Sequence, residues 1–261
     1  ESDGMGEISS NCTPKTITNY DEFITAVRES GVVGLGGAGF PTSVKLDVKD
    51  TSRIEEIIIN GAECEPYITS DTRTMIDSAD LISEGIDLLK KFLDAKKIII
   101  GIEKNKPEAI KEMNKLTDDI TSVKVLPSIY PQGGEKVLIY NCTGKIVPEG
   151  KLPIDVGVIV INCTTLAIIA NYIKTGVPLV EKLITVDGSA VKEPKNVIVP
   201  IGTSMSDVFN FCGGFKEEPK KVLYGGPMMG IAVPTLDLPV LKTTNAIIAL
   251  SKKDAVLPEP T

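Results

Sequence analysis

I-E-E-I-I-I-N-G-A-E-C-E-P-Y, residues 54–67, holds the reading of the fold. Ile54 to Ile59 is a short apolar run of the length and composition of a buried strand, and Asn60-Gly61 ends it. Downstream, Asp77 to Leu93 places Leu81, Ile82, Ile86, Leu89 and Phe92 at helical spacing, which predicts an amphipathic helix. Lys97 to Ile102 (K-I-I-I-G-I) predicts a second strand. Lys106 to Leu116 predicts a helix with Pro107 in its first turn, where a missing N–H costs nothing. Ser122 to Leu126 predicts a strand, Glu135 to Tyr140 a helix, Val156 to Ile161 a strand and Thr164 to Lys174 a helix. Strands alternating with helices in this way predict an α/β layer of parallel strands.

Upstream, Tyr20 to Ser30 has helical spacing at Phe23, Ile24 and Val27, opened by Asn19 and Asp21. Between that helix and the first strand lies G-V-V-G-L-G-G-A-G-F-P-T-S-V-K, residues 31–45. Past Gly176-Val177-Pro178 the texture changes to short strand-like runs, Leu183 to Val186, Val197 to Pro200 and Lys221 to Leu223. A helix near Met205 to Phe211 lies among them, separated from the strands by glycine turns. The expected organisation is a lead-in from a preceding domain over 1–18 and an α/β domain over 19–176. A small mixed α+β domain follows over 177–250, then a linker over 251–261.

The composition narrows the chemistry. None of the 261 residues is histidine, so Ser–His hydrolysis and histidine-bound zinc are excluded for this chain. The five cysteines, Cys12, Cys64, Cys142, Cys163 and Cys212, include no C-x-x-C pair, so a zinc ribbon or a locally bound iron–sulfur cluster is not expected. Their odd number and wide spacing fit a reduced compartment. A net charge of −7 gives no basic face for nucleic acid. The most apolar stretch, Val156 to Ile173, contains Asn162, Thr164, Thr165 and Asn171, too polar for a membrane-spanning helix. Membrane contact is expected only through partner subunits.

Candidate chemistry sits where predicted strands end, the ligand-facing side of an α/β sheet. In the glycine run, residues free to take positive φ let a phosphate approach backbone N–H groups, and Lys45 offers a neutralising charge. The run lacks the G-K-[ST] of a Walker A loop, and a tight turn packed on the sheet is the other reading. In N-G-A-E-C-E-P-Y, Asn60 can meet a flavin ring edge, and Glu63 and Glu65 can take ribityl or ribose hydroxyls or shape a nicotinamide pocket; solvated loop carboxylates are the alternative. Y-P-Q-G-G-E-K, residues 130–136, offers the Tyr130 ring for stacking and Gly133-Gly134 for close approach, or an ordinary strand-to-helix turn. In V-I-N-C-T-T-L-A, residues 160–167, Thr164 or Thr165 caps the next helix or that helix start helps hold a flavin. Y-G-G-P-M-M-G, residues 224–230, sets two methionines between glycine turns, where gap-filling is their commoner use.

Taken in order, G-L-G-G-A-G-F-P-T-x-x-K, N-G-A-E-C-E-P-Y, Y-P-Q-G-G-E-K, L-P-x-D-V-G-V-I-V-I-N and G-G-P-M-M-G resemble the C subunit of Rnf-type electron transport complexes, over roughly residues 31–250. That group resembles in turn the NADH- and FMN-binding flavoprotein subunit of respiratory complex I. Its loops read G-R-G-G-A-G-F-P-T-G-x-K, N-A-D-E-S-E-P-G and G-E-E. The resemblance implies an FMN-binding α/β domain followed by a β-grasp, SLBB-like domain. It implies FMN held by Gly34, Gly36, Gly37, Lys45, Asn60, Glu63, Tyr130, Gly133, Gly134, Asn162 and Thr165, and NADH met by Phe40, Glu65 and Glu135. Ala62, Cys64 and Gly134 stand where complex I has Asp, Ser and Glu, which implies fewer FMN contacts. It further implies an oxidoreductase passing electrons between NAD(H) and, through FMN, iron–sulfur clusters. It places the [4Fe–4S] motifs in a region absent from this chain, and the whole at the cytoplasmic side of the membrane beside other subunits of the complex. Two alternative functions remain: a related reductase subunit, since cobalamin-reducing subunits and the partner of proline reductase share these motifs, or a flavin-free structural subunit, since the A subunit of sodium-pumping NADH:quinone reductase resembles this fold.

Overall fold

The computed structural model describes residues 9–255 and divides into two units. The described part of the larger comprises 9–64 and 71–179; that of the smaller comprises 65–70 and 180–255.

In the larger unit, α1 (Tyr20–Glu29) begins where the Asn19 side chain accepts from the Glu22 N–H, and buries Phe23, Ile24, Ala26 and Val27. A single turn, α2 (Thr42–Leu46), follows the glycine run. The sheet is built from β1 (Glu56–Gly61), β2 (Lys97–Glu103), β3 (Thr121–Leu126) and β4 (Val158–Asn162). All are parallel, in the order β3-β2-β1-β4. Ile57 to Ile59 and Ile98 to Ile100 are buried, as central parallel strands covered on both faces require. Burying each isoleucine is worth about 1.5–3 kcal/mol.

Between β1 and β2 run α3 (Ser70–Asp77) and α4 (Ala79–Leu93). The sequence predicts one helix from Asp77; a separate helix precedes it, because Ser78 takes a non-helical conformation (φ −127°, ψ 34°). α4 buries Ile82, Ile86, Leu89, Phe92 and Leu93, and the Phe92 ring stacks on Phe23 with centroids 5.1 Å apart. After β2 come α5 (Pro107–Met113), then α6 (Glu135–Thr143) and α7 (Cys163–Thr175). Leu138 and Ile139 of α6 pack with Ile58, Val158 and Val160, and α7 lies along α4. The residue capping α7 is Asn162, not Thr164 or Thr165: extended at φ −69°, ψ 143°, its side chain accepts from the Thr165 N–H.

The smaller unit has a five-stranded mixed sheet of β5 (Glu181–Asp187), β6 (Lys195–Pro200), β7 (Lys221–Tyr224), β8 (Ile231–Ala232) and β9 (Ala246–Leu250). Its order is β6-β5-β9-β7-β8, with β5 and β9 parallel at the centre and the other pairs antiparallel. α8 (Met205–Phe211) sends Met205, Val208 and Phe209 into the core beside Ile184, Val186 and Ile247. Residues 65–70, inside the span read from sequence as the α/β domain, fold with this unit. Ile68 packs with Leu223, Ala246 and Ile248, and the Thr69 N–H donates to Thr185 Oγ1 at 3.0 Å.

Candidate functional site

The chain leaves β1 toward β2 and β3 on one side and returns to β4 on the other. In an open parallel sheet this reversal opens a crevice at the strands' C-terminal ends, the usual ligand position. Asn60 and Asn162 face each other there in register, as the last paired residues of β1 and β4.

The glycine run folds over the end of β4. Gly34 N–H donates to Phe40 O (2.8 Å) and Gly39 N–H to Gly34 O (3.1 Å), closing a loop. The buried Thr165 hydroxyl accepts from Leu35 N–H (3.1 Å) and donates to Val33 O (3.3 Å), fixing the loop to the first turn of α7. Gly37 sits at φ +128°, a conformation glycine adopts readily. Gly36, Gly37 and Ala38 are exposed, and among the described residues their N–H groups donate to no other group of the chain. Successive free N–H groups of this kind form a concavity for an anion. Lys45 Nζ lies 2.6 Å from Glu135 Oε1 and 3.2 Å from Val160 O, a carbonyl of the sheet's edge strand.

The loops after β1 and β3 interlock. Asn60 Oδ1 accepts from Ala62 N–H (3.0 Å), and its Nδ2 donates to Gly133 O (3.0 Å). Gly133 N–H points at Cys64 Sγ, 3.4 Å away, and a Cβ on Gly133 would overlap the Ala62 carbonyl oxygen. Gly134 N–H donates to Pro131 O at 2.9 Å, and Gly134 directly precedes Glu135, the first residue of α6. Phe40 and Tyr130 are 49% and 40% exposed.

Two carboxylates of the second loop, Glu63 and Glu65, make hydrogen bonds within the chain. Glu63, 9% exposed, accepts from Asp71 N–H (2.8 Å), Thr72 N–H (3.1 Å) and Thr72 Oγ1 (2.6 Å), and so caps the start of α3. Glu65 belongs to the smaller unit. There it accepts from Met228 N–H (3.0 Å) and Met229 N–H (2.7 Å), pinning the G-G-P-M-M-G loop; Met229 is 77% exposed, not gap-filling. Every other residue implied for the site lies in the larger unit, at or near this crevice. Sequence reasoning missed Asp71, whose carboxylate takes Asn162 Nδ2 (2.7 Å) and Thr164 Oγ1 (2.6 Å). The Ser70-Asp71 pair is a helix-start signal that marks α3, though not Asp71's partners.

Beneath the crevice Glu103 is buried at the end of β2, and Lys106 Nζ lies 3.9 Å from Glu63 Oε2. Burial pushes the Glu103 carboxyl above the usual carboxylate range; Lys106 opposes this, Glu63 adds to it, and the Ile129 N–H opposes it. A raised folded value means that this group's contribution is full below the unfolded carboxyl pKa and is lost as pH rises through the folded one. Glu103→Gln is therefore expected to flatten that falling limb when melting temperature is followed from the acid range to neutrality. A wild-type limb retained in the variant assigns it to another group. Burial also pushes the thiols up, Cys142 to about 11 and Cys163 well above the usual range. Among the described residues no cluster of metal-ligating side chains occurs, and no helix is long and apolar enough to cross a membrane.

A family model described as the Nuo51 FMN-binding domain matches residues 27–171, and one for the SLBB domain matches 183–232. The chain is 47% identical over 235 residues to the C subunit of the proton-translocating ferredoxin:NAD(+) oxidoreductase complex of Clostridium ljungdahlii, covering 89% of this chain and 51% of that protein. It is 41% identical over 265 residues to the Na(+)-translocating counterpart of Acetobacterium woodii, covering 100% and 60%. It is 41% identical over 234 residues to the C subunit of the ion-translocating oxidoreductase complex of Rhodobacter capsulatus, covering 88% and 45%. The chain thus spans about half the length of the curated relatives it matches. Among solved structures it resembles a chain of an NAD+-reducing [NiFe]-hydrogenase in the H2-reduced state, with a TM-score of 0.72 at 20% identity, covering 88% of this chain and 46% of that one. At that identity the likeness is one of fold.

Proposed function

The chain belongs to the Nuo51 FMN-binding domain family, and we propose that it is the FMN- and NADH-binding part of the C subunit of an ion-translocating ferredoxin:NAD+ oxidoreductase complex. The carrying observation is the loop at 34–39, stapled to α7 by Thr165, where among the described residues the exposed Gly36, Gly37 and Ala38 give their N–H groups to no other group of the chain. That donor set fits the dianionic phosphate of FMN, and Lys45, on the turn directly after the loop, adds the cation.

Bound FMN would supply the redox chemistry, accepting a hydride from NADH and releasing electrons one at a time. The chain's own residues bind and orient. In this account Gly34, Gly36, Gly37 and Lys45 serve the phosphate, while Asn60, Tyr130, Gly133 and Gly134 shape the ring pocket. Phe40 and Glu135 serve NADH. Asn162, Thr165 and Glu63, which the resemblance also sets against FMN, hold the loops that meet it. Hydride transfer needs no general base, so a chain without histidine suffices. The electron acceptors, [4Fe–4S] clusters, are assigned to sequence outside these residues. The other members of the complex are taken as the route to the cytoplasmic face of the membrane.

Fluorescence titration of the purified chain with FMN tests the site. Saturable binding is expected, and Lys45→Met should weaken it about tenfold, the scale of one charge-assisted hydrogen bond. Glu135→Gln should tighten it, because Glu135 holds the Lys45 ammonium at 2.6 Å. Equal affinity in wild type and Lys45→Met would remove Lys45 from the phosphate site.

A further inference from the structure

We propose that Asp71 is the positioning residue of the phosphate loop: it orients the first turn of α7, and through Thr165 it sets residues 33–38. The inference rests on the flavin reading above. Three segments distant in sequence meet in one line of hydrogen bonds. Asp71, in the first turn of α3, places Oδ2 at 2.7 Å from Asn162 Nδ2 and Oδ1 at 2.6 Å from Thr164 Oγ1. Because Asp71 takes the Asn162 amide nitrogen, the amide oxygen is left facing Thr165 N–H, at 3.0 Å. Thr165, buried, then takes Leu35 N–H on its hydroxyl and gives its proton to Val33 O. Leu35 is itself buried, so the loop is anchored on one side chain and on one hydroxyl.

The carboxylate matters for its two acceptor oxygens as well as its charge. An ionised carboxylate accepts from both neighbours and donates to neither, which leaves the Asn162 amide one satisfactory orientation. Partly buried, such charge-assisted bonds are stronger than neutral ones. An alanine at 71 leaves Asn162 Nδ2 and the buried Thr164 hydroxyl without this acceptor, and the orientation of the Asn162 amide is no longer imposed. The consequence runs to the loop whose N–H groups meet the phosphate. The interlocked 60–64 and 130–134 loops are held by Asn60 and Gly133, and the tie of Glu63 to residue 71 uses the Asp71 backbone N–H, which an alanine keeps.

Two measurements on the purified chain test this. Without flavin, hydrogen exchange at the Leu35 amide should quicken about tenfold in Asp71→Ala, the scale of one lost charge-assisted bond, while the Ile100 amide in β2 is unchanged. With flavins, Asp71→Ala should raise the Kd for FMN about tenfold and leave riboflavin, which lacks the phosphate, within about twofold. Asp71→Asn, which keeps one acceptor for Asn162, should recover most of the loss. Thr165→Val leaves α3 untouched and should reproduce the FMN-selective loss; combined with Asp71→Ala it should lose less than the product of the two. Unchanged Leu35 exchange overturns the proposal, as do equal losses of FMN and riboflavin. If the wild-type chain binds neither flavin while Asp71→Ala still quickens Leu35, the coupling of Asp71 to the loop stands and the flavin reading falls.

Discussion

Gly133→Ala is expected to raise the Kd for FMN by about two orders of magnitude, the binding equivalent of about 3 kcal/mol of overpacking. Any Cβ at position 133 would overlap the Ala62 carbonyl oxygen, and that atom is backbone, so it cannot swing aside as a side chain would. Relief requires the 130–134 and 60–64 loops to part. Parting breaks the Asn60 Nδ2 bond to Gly133 O and the Gly133 N–H contact with Cys64 Sγ. Tyr130, three residues away on the same loop, shifts with it. Overpacking of this kind costs about 3 kcal/mol when backbone must yield. The melting temperature of the larger unit should therefore fall together with FMN affinity. An alanine variant with wild-type affinity for FMN would mean that the two loops do not jointly form the ring pocket.

Glu63→Ala should lower stability by about 3 kcal/mol, the scale of leaving several donors of a buried site unpaired. Its carboxylate receives two N–H groups at the start of α3 and the Thr72 hydroxyl, and Lys106, 14% exposed at its side chain, lies 3.9 Å away. The bonds to the helix start outweigh the ion pair, because at 3.9 Å the ammonium is beyond direct hydrogen-bond reach. Glu63→Gln keeps one good acceptor and should lose about half as much. Denaturant titration of the three proteins ranks them. If Glu63→Ala instead kept wild-type stability and lost FMN, the residue would reach outward to the cofactor, as the family resemblance implied, and its bonds to α3 would be incidental.

These two residues mark the limit of what sequence patterns carry. β1, β2 and β4 were legible as dense isoleucine and valine runs, and α4 as a stripe at Ile82, Ile86 and Leu89, because burial imposes those periods directly. α3 was not, because its polar turns offer only Met75 as a fully buried anchor. β9 was not, because A-I-I-A-L, buried throughout, has no alternation to separate strand from helix. The site divides in the same way. Ordered glycine and asparagine motifs placed its loops at the strand ends. Whether a polar side chain in such a loop faces a ligand or a neighbouring helix depends on partners far along the chain. Asn162 and Asp71 are 91 positions apart, and Leu35 and Thr165 are 130 apart. Glu65 shows the same thing more sharply: two residues from Glu63 in the chain, it folds with a different unit and grips backbone at Met228 and Met229.

Loading the chain with FMN and adding NADH without oxygen shows whether this fold holds a flavin for exchange with a pyridine nucleotide. The expected result is loss of the oxidised-flavin absorbance, one flavin reduced per NADH consumed, and its return on admitting air. FMN that binds saturably yet keeps its oxidised spectrum in excess NADH would contradict it, leaving a flavin-binding module without the dehydrogenase function.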